Sequence, residues 1–277
     1  MFNRTLYTAL LYITSPLIFS LLLKTKKGKP PVGERWKEFV GISPELPKLN
    51  NQQPIWIHAV SVGEVIAATP IMNALQEKYP EQQLLITTTT STGAERVAAL
   101  ANNAANSNRI AHRYFPADYP FAVKQFITRM NPSICLIMET ELWPNMLTIC
   151  QQQQLPTVVV NARLSAKSQQ KYRKFTSLFA QPLQSITHIL CQTKDDKQRF
   201  NELGIQTDKI TATGTVKYDI QFSDAIINAG VTLKTALGNR PTLIAASTHK
   251  GEDEIVLAAF KQIKQQHANA VMIIVPR

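Results

Sequence analysis

The sequence predicts an α/β protein built on a parallel sheet, followed by the start of a second α/β unit. Short apolar runs alternate along most of the chain with longer segments whose apolar residues recur at helical spacing. Repeated strand–helix–strand units of this kind form parallel sheets that helices cover on both faces. The length of 277 residues fits about two domains, and a composition of 44% hydrophobic against 18% charged residues excludes intrinsic disorder.

The elements follow from these patterns in chain order. Strands are predicted at residues 55–59, 84–88, 112–115, 134–138, 157–161, 188–191 and 209–213. Helices are predicted over residues 64–78, 92–100, 119–130 and 144–153, within 168–183, and over 194–203. A polar stretch without periodicity, 221–240, predicts a linker. A strand at 242–246, a helix at 253–267 and a strand at 270–275 then begin a second unit. One βαβ unit hardly covers its own sheet, so we expect the sequence to be a fragment that lacks most of this second domain.

The amino-terminal residues predict a membrane anchor. Residues 5–23 carry no charge, and at ~1.5 Å per residue they are long enough to cross most of a ~30 Å hydrocarbon core. Four lysines follow instead of a small-residue cleavage site, which favours a retained anchor with the rest of the chain in the cytoplasm: Lys24, Lys26, Lys27 and Lys29. A helix lying in the membrane interface is the alternative. The predicted domains are therefore an anchor with its basic flank (1–30), a first domain (31–220), the linker (221–240) and the start of a second domain (241–277).

Charge and missing motifs narrow the function. A net charge of +11 indicates an anionic partner such as a phosphate, a nucleic acid or a membrane surface. The chain has no glycine-rich dinucleotide motif, no P-loop, no serine-hydrolase elbow and no H-E-x-x-H zinc motif. Its basic residues are not interleaved with aromatic ones, which argues against a nucleic-acid platform. Three widely separated cysteines are interpreted as reduced core residues.

Doubly wound sheets bind ligands beyond the carboxyl ends of their strands, so the residues after each strand are the candidates. Ser61, Gly63 and Glu64 follow the first strand. Gly63 permits a tight turn, and Glu64 falls in the first helical turn, where the helix dipole favours its ionised form. An ionised carboxylate can accept a proton. The alternative is a purely structural capping box, in which Ser61 and Glu64 only satisfy backbone groups.

Glu139 and Glu141 follow the strand at 134–138 and precede Trp143 and Pro144. Two acids directly after a buried strand are unusual on packing grounds alone. Such a pair can serve in acid–base catalysis, bind a metal or hold sugar hydroxyls. Helix-entry acids beside a structural tryptophan are the alternative.

A third group of candidates follows later strands. Ser247 and Thr248, with backbone amides at a helix start, can cradle an anion that His249 or Lys250 would neutralise. A simple N-cap followed by surface charge is the alternative. Two further cations stand after strands and suit phosphate: Lys217 and Arg277.

Taken together and in order, six segments resemble one family, the 3-deoxy-D-manno-octulosonic acid (Kdo) transferases of lipopolysaccharide synthesis. The segments are HAVSVGEVIAATPIMNAL, METELWPN, VVNARLS, GTVKYD, ASTHKGEDEIVLAAF and the terminal IIVPR. The resemblance implies the GT-B architecture, in which two Rossmann-like domains face each other across a cleft. It also implies transfer of Kdo from its cytidine-monophosphate donor, CMP-Kdo, to the lipid A precursor at the cytoplasmic face of the inner membrane. No metal, cofactor or nucleic acid is expected.

The resemblance also implies roles for single residues. Glu64 matches the general base of the family. Residues that would bind or orient the acceptor are Ser61, Gly63, Glu139, Glu141 and Arg163. Those expected at the donor site are Lys217, Ser247, His249 and Arg277. A basic stretch can hold the acceptor phosphates or anionic lipid headgroups, or be merely solvated: Lys167, Lys171 and Arg173.

The sequence departs from the family pattern at one point. The glycine-rich segment that grips the donor nucleotide lies past residue 277, so residues 1–277 alone are expected to be inactive. The sequence leaves two alternatives to a Kdo transferase. One is another membrane-anchored GT-B enzyme of envelope synthesis, and the other is an inactive, truncated binding module.

Overall fold

The computed structural model describes residues 3–23, 32–47, 52–102, 109–219 and 224–277. The chain divides into two compact units, Met1–Ile220 and Gln221–Arg277. The first contains a seven-stranded sheet, and the second contains two paired strands. The α/β class with a parallel sheet is therefore as predicted.

The first unit alternates strands and helices. Its strands are β1 (Ile55–His58), β2 (Leu84–Thr88), β3 (Ile110–Tyr114), β4 (Ile134–Met138), β5 (Thr157–Ala162), β6 (His188–Cys191) and β7 (Ile210–Ala212). Its α-helices are α1 (Arg4–Leu23), α2 (Val62–Lys78), α3 (Ser91–Ala101), α4 (Pro120–Met130), α5 (Pro144–Gln152), α6 (Ala166–Lys174), α7 (Thr176–Gln184) and α8 (Lys194–Glu202). Short 3-10 helices span Gly33–Val40, Thr207–Lys209 and Val216–Asp219.

The sheet has the strand order β3-β2-β1-β4-β5-β6-β7, and all neighbours are parallel. From β1 the chain builds outward to β3 and then returns to place β4 on the other side of β1, with Ile55 opposite Ile134 and His58 opposite Ile137. The order therefore reverses between β1 and β4. In doubly wound sheets this reversal opens a crevice at the carboxyl ends of the two strands, where ligands bind.

Alternation along the strands produces two apolar layers. Trp56 and Ile137 belong to one core cluster, whereas Ile57 belongs to another that includes Ala68 and Met72 of α2. Strands β1 and β2 are buried along their full length, as expected for a sheet covered on both faces. Three cysteines lie free and buried in the core, namely Cys135, Cys150 and Cys191.

Helix α1 forms over the segment interpreted from the sequence as a spanning anchor. Within the part of the chain that the structure describes, no helix is both long and apolar enough to cross a membrane. The prediction of a single-pass anchor was therefore wrong. Polar residues interrupt the apolar stretch, and Tyr7, Thr8 and Ser15 form hydrogen bonds with the body of the first unit. The basic flank on which the orientation was predicted lies outside the described residues: Lys24, Lys26, Lys27 and Lys29.

The second unit contains α9 (Asp224–Leu237), β8 (Thr242–Thr248), α10 (Glu252–Gln266) and β9 (Val271–Pro276). Strands β8 and β9 pair in parallel, as their sequence predicts. The prediction that residues 221–240 have no helical periodicity was wrong for the residues that form α9. In fact Ile227 and Val231 lie four residues apart, as do Leu233 and Leu237, which is the spacing of one helix face. The domain boundaries proposed from the sequence remain a prediction.

Gly41 illustrates how closely the 3-10 helix Gly33–Val40 is joined to α4. Its φ is +86°, and an added Cβ would lie 2.7 Å from the carbonyl oxygen of Ala122. Gly204 has a similar φ of +91°, but an added Cβ would meet nothing within 4 Å. We therefore expect Gly204→Ala to cost about 1 kcal/mol through backbone strain, and Gly41→Ala to cost about 1–3 kcal/mol more through steric overlap. Urea unfolding of both variants measures the difference, and equal losses of stability would contradict it.

Candidate active site

Two turns meet at the switch point of the sheet. One joins β1 to α2 and leads directly to Glu64 in the first turn of that helix. The other, residues 139–143, joins β4 to α5 and is named the acid loop. The β1–α2 turn is also tied to the end of β2, because the N–H of Thr89 donates to the carbonyl oxygen of Val60 at 3.1 Å. The residues predicted from the ends of the first and fourth strands therefore lie at one edge of the first unit.

The Glu64 side chain folds back over the start of its own helix. The N–H of Val60 donates to Glu64 Oε2 at 2.8 Å, and the Ser61 hydroxyl donates to Oε1 at 2.9 Å. Ser61 is the N-cap of α2, and its oxygen lies 3.4 Å from the N–H of Glu64. The capping arrangement proposed as the structural alternative is thus present. Because each carboxylate oxygen has two acceptor positions, these contacts leave Glu64 able to accept a further proton or hydrogen bond.

Glu64 is only 8% exposed, and this burial governs its ionisation. Burial raises the pKa of Glu64 from 4.5 to about 7, while the hydrogen bonds from Val60 and Ser61 oppose the shift. The negative charges of Glu141 and Glu139 raise the pKa further. The expectation that the helix start keeps Glu64 ionised was therefore wrong in part: near neutral pH the protonated form is present as well, because burial outweighs the favourable contacts.

The acid loop is fixed at several points. Glu139 has a φ of +56°, and its N–H donates to the carbonyl oxygen of Val160 at 2.9 Å. The indole N–H of Trp143 donates to Glu141 Oε2 at 2.8 Å. The Thr140 hydroxyl donates to the carbonyl oxygen of Arg163. A non-glycine residue with positive φ costs energy, and such residues are concentrated at functional sites.

This arrangement can perform proton transfer. It places one carboxyl whose pKa is near neutrality within the electrostatic reach of two others, Glu139 and Glu141. Pairs of titratable groups with different environments are typical of acid–base sites. Within the described ranges, no cluster of three or more His, Cys, Asp or Glu side chains is placed to hold a metal ion.

Gly63 and Arg163, both predicted to bind the acceptor, have surroundings that the sequence did not predict. Gly63 is part of α2, and an added Cβ would have only the Ser61 hydroxyl oxygen near it, at 3.9 Å. The turn therefore does not require glycine on steric grounds. Arg163 is exposed, and its carbonyl oxygen holds Thr140 of the acid loop. The basic residues of α6 are exposed as well: Lys167, Lys171 and Arg173.

Lys217 lies in the 3-10 helix Val216–Asp219, and it is exposed. Val216 beside it packs against the core cluster that contains residues of α2. The N–H of Val216 also lies 3.4 Å from Asn161 Oδ1, at the end of β5. Lys217 therefore belongs to the same edge of the first unit as Glu64, rather than to the second unit.

The structure reveals Asn161 as a candidate that we did not single out from the sequence. It is buried, has a φ of +54°, and its Nδ2 has no hydrogen-bond partner among the described residues. Its position at the end of β5 was the signal that could have identified it. Tyr172 was also missed. Burial, together with the charge of Glu141, raises the pKa of its hydroxyl to about 12.

The predicted donor residues of the second unit lie together. Arg277 Nη1 lies 3.5 Å from His249 Nε2, and the backbone N–H of Arg277 donates to the carbonyl oxygen of Thr248 at 3.1 Å. Ser247 has a φ of +59°. The first turn of α10 is acidic, and Glu252 Oε2 accepts the N–H of His249 at 2.7 Å. One amide of the predicted anion cradle is thus already occupied by a carboxylate.

Comparison with known proteins gives a consistent family. The family described as 3-deoxy-D-manno-octulosonic-acid transferase (kdotransferase) matches residues 34–220. A 3-deoxy-D-manno-octulosonic acid transferase of Haemophilus influenzae is 37% identical over 99% of this chain. One of Bordetella pertussis is 30% identical over 99% of it. This chain spans 63% and 64% of the lengths of these two relatives, respectively.

Solved structures resemble the chain in fold. The UDP-GlcNAc 2-epimerase of Neisseria meningitidis aligns with a TM-score of 0.54, over 80% of this chain and 64% of its own, at 13% identity. The UDP-GlcNAc 2-epimerase of Methanocaldococcus jannaschii aligns with a TM-score of 0.52, over 79% and 64%, at 11% identity. At such low identity these similarities establish the architecture alone.

The raised pKa of Glu64 predicts a pH-dependent stability. Between pH 4.5 and 7 the folded chain retains the proton of Glu64, whereas the unfolded chain releases it. The resulting contribution to the free energy of unfolding is complete below pH 4.5 and is lost as the pH rises through 7. Because glutamine does not ionise, Glu64→Gln does not lose this stability as the pH rises. Relative to the wild type, its free energy of unfolding should therefore rise by about 3 kcal/mol between pH 4.5 and pH 8.

Urea unfolding of residues 1–277 at several pH values measures this difference. Glu77→Gln, which removes an exposed carboxyl from the same helix, is the control for the loss of one negative charge. If both variants follow the same pH dependence, the carboxyl of Glu64 does not have the raised pKa.

Proposed function

Because the chain belongs to the 3-deoxy-D-manno-octulosonic acid transferase family, we propose that it forms the acceptor-binding part of an enzyme that transfers Kdo from CMP-Kdo to the lipid A precursor. The match to the family covers most of the first unit, and it supports a Kdo glycosyltransferase of lipopolysaccharide synthesis. The observation that carries the proposal is the buried Glu64 carboxyl, beside two further acids at the switch point of the sheet.

Glu64 acts as the general base. A hydroxyl oxygen of the acceptor attacks the anomeric carbon of Kdo, and the bond from that carbon to the phosphate oxygen breaks. The electron pair of that bond leaves with cytidine monophosphate, and the hydroxyl proton passes to Glu64. A pKa of about 7 suits this task, because a base is most effective when its pKa is close to the working pH.

The acid loop tunes and surrounds this base. Glu139 and Glu141 raise the pKa of Glu64 through their charges, and their half-buried carboxylates can accept hydrogen bonds from sugar hydroxyls. Ser61 holds the carboxyl in place. Gly63 lies next to this contact, in the first turn of α2. Arg163, which is exposed beside the acid loop, supplies a cation for the acceptor phosphates.

The donor is assigned to cationic residues. Lys217 is assigned by itself as an exposed cation for a carboxylate or a phosphate. In the second unit, His249 with Arg277 supplies positive charge or hydrogen-bond donors for the departing phosphate. Ser247 supplies a hydroxyl next to them. None of these roles calls for a metal or an organic cofactor.

We place the enzyme at the cytoplasmic face of the inner membrane, with α1 lying along the bilayer surface. Four apolar residues of this helix, spaced at helical intervals, are exposed: Leu6, Leu10, Ile13 and Leu17. An apolar stripe on a helix whose other side is attached to a protein is typical of interfacial membrane binding. The net charge of +11 suits an anionic leaflet.

The catalytic proposal predicts the behaviour of Glu64→Gln. In the protein at its full native length, this variant should lose about 10²–10⁴-fold in kcat, because glutamine cannot take the acceptor proton. Wild-type kcat should rise with pH to a plateau above pH 7, and Glu141→Gln should move this rise to lower pH because a raising charge is removed.

Mass spectrometry of lipid products formed from CMP-Kdo and the lipid A precursor measures both effects. Near-native turnover by Glu64→Gln would eliminate the base. Transfer of a different sugar by the wild type, with none from CMP-Kdo, would instead indicate another enzyme of envelope synthesis.

The membrane proposal predicts that residues 1–277 bind vesicles containing anionic lipid. Ile13→Glu should weaken this binding by about tenfold or more, because Ile13 is 74% exposed on α1. Ile255→Glu is the matched control, since Ile255 is 70% exposed on α10 and makes the same change away from that helix. Vesicle co-sedimentation that finds Ile13→Glu bound as tightly as the wild type would contradict the interfacial role of α1.

A further inference from the structure

The inner side of α1 is hydrogen bonded to two buried residues of the first unit. The Tyr7 hydroxyl donates to Asp118 Oδ2 at 3.0 Å. The Asn145 side-chain amide donates to the Thr8 hydroxyl oxygen at 3.0 Å, and that hydroxyl lies 3.2 Å from Asn145 Oδ1. Arg4 Nη1 reaches the same Asn145 oxygen at 3.4 Å. Asp118 is 4% exposed and Asn145 is fully buried, so the partners of α1 lie in the core while the contacts themselves are partly buried.

The same two residues form the start of α5. Asp118 accepts the backbone N–H of Asn145 at 3.0 Å and that of Met146 at 2.8 Å. The side-chain amide of Asn145 donates to the carbonyl oxygen of Asp118 at 2.7 Å. The first amides of a helix have no partner within the helix, and Trp143 at the N-cap of α5 provides none from its side chain. Asp118 therefore caps α5 from a loop distant in sequence.

The start of α5 is also the end of the acid loop. Leu142 is buried, and Trp143 donates its indole N–H to Glu141. Asn145 follows two residues later in the chain. The position of Glu141 is therefore tied to the position of the first turn of α5, which in turn is held by Asp118. Glu141 and Glu139 act electrostatically on Glu64.

Further contacts hold α1 along its length. The Ser15 hydroxyl lies 2.7 Å from the Tyr119 hydroxyl, and the Tyr12 ring stacks on the Tyr119 ring with centroids 5.1 Å apart. Tyr119 directly follows Asp118 in the chain. Helix α1 is thus attached on one side to the residues that set the acid loop, while its opposite apolar stripe is exposed.

We propose that Tyr7 and Thr8 are positioning residues: acting through Asp118 and Asn145, they hold the acid loop against Glu64, so that the seating of α1 sets the geometry of the catalytic edge. The inference rests on the proposed function of that edge in sugar transfer. Its structural part, a connection from α1 to Trp143, is independent of which sugar is transferred.

A matched pair of substitutions isolates the connection. Thr8→Val removes the hydroxyl that contacts Asn145, whereas Thr14→Val removes a hydroxyl whose hydrogen bonds, among the described residues, go to the backbone of α1 itself. Both changes keep a β-branched side chain of similar size in the same helix. Tyr7→Phe removes the contact with Asp118 by the loss of a single oxygen.

The first measurement is ¹⁹F NMR of residues 1–277 labelled with 5-fluorotryptophan. The chain has three tryptophans, and Trp143→Phe assigns the resonance of interest. Thr8→Val and Tyr7→Phe should shift or broaden the Trp143 resonance, and Thr14→Val should not. Unchanged Trp36 and Trp56 resonances show that the fold is retained. A Trp143 resonance that stays as in the wild type in both Thr8→Val and Tyr7→Phe would overturn the proposal.

The second measurement is the pH dependence of Kdo transfer at full native length. Displacement of the acid loop takes negative charge away from Glu64, so Thr8→Val and Tyr7→Phe should move the rise of kcat to lower pH. Thr14→Val should keep the wild-type profile. A merely structural role would lower stability and leave the profile in place, which would overturn the proposal. If the wild type transfers no Kdo but the Trp143 resonance still responds to Thr8→Val, the assigned reaction fails and the connection stands.

Discussion

The Glu64 carboxyl is desolvated at the point where the strand order of the sheet reverses, and the proposed chemistry depends on this constraint. The β1–α2 turn encloses the side chain, with Val60 and Ser61 each donating one hydrogen bond to it. These contacts favour the charged form, but burial and two nearby negative charges oppose it, and the balance leaves a pKa of about 7. A capping contact and a catalytic base are therefore not exclusive alternatives, because the same contacts that start α2 also orient the base.

The sequence predicted those features of the fold and the site that depend on residues close together in the chain. Apolar runs predict every strand of the main sheet, and the rule that ligands bind beyond strand ends selects Glu64, Glu139 and Glu141 from the sequence alone. The ionisation of Glu64 could not be predicted, because it depends on how much water the folded turn excludes. Asn161 stands at the end of β5, which is a signal in the sequence, but its positive φ and its Nδ2, which has no hydrogen-bond partner among the described residues, are evident only in the folded chain.

Hydropathy alone did not predict how helix α1 is attached to the rest of the first unit. An uncharged stretch of suitable length predicted a spanning anchor, but Tyr7, Thr8 and Ser15 use their hydroxyls to attach the helix to the protein. Their partners Asp118 and Asn145 come from distant parts of the chain, so no local pattern announces them. One side of α1 is hydrogen bonded to the first unit, and the other side is apolar and exposed. The bonded side connects to the acid loop through Asp118 and Asn145.

The most direct measurement is an NMR titration of the ¹³C-labelled side-chain carboxyl of Glu64, assigned by its disappearance in Glu64→Gln. It reports the ionisation of the residue itself, without substrate and without dependence on the second unit. The account predicts a midpoint near pH 7. A midpoint at the ordinary value of 4.5 would show that the carboxyl is solvated and would contradict the claim that burial makes Glu64 the base.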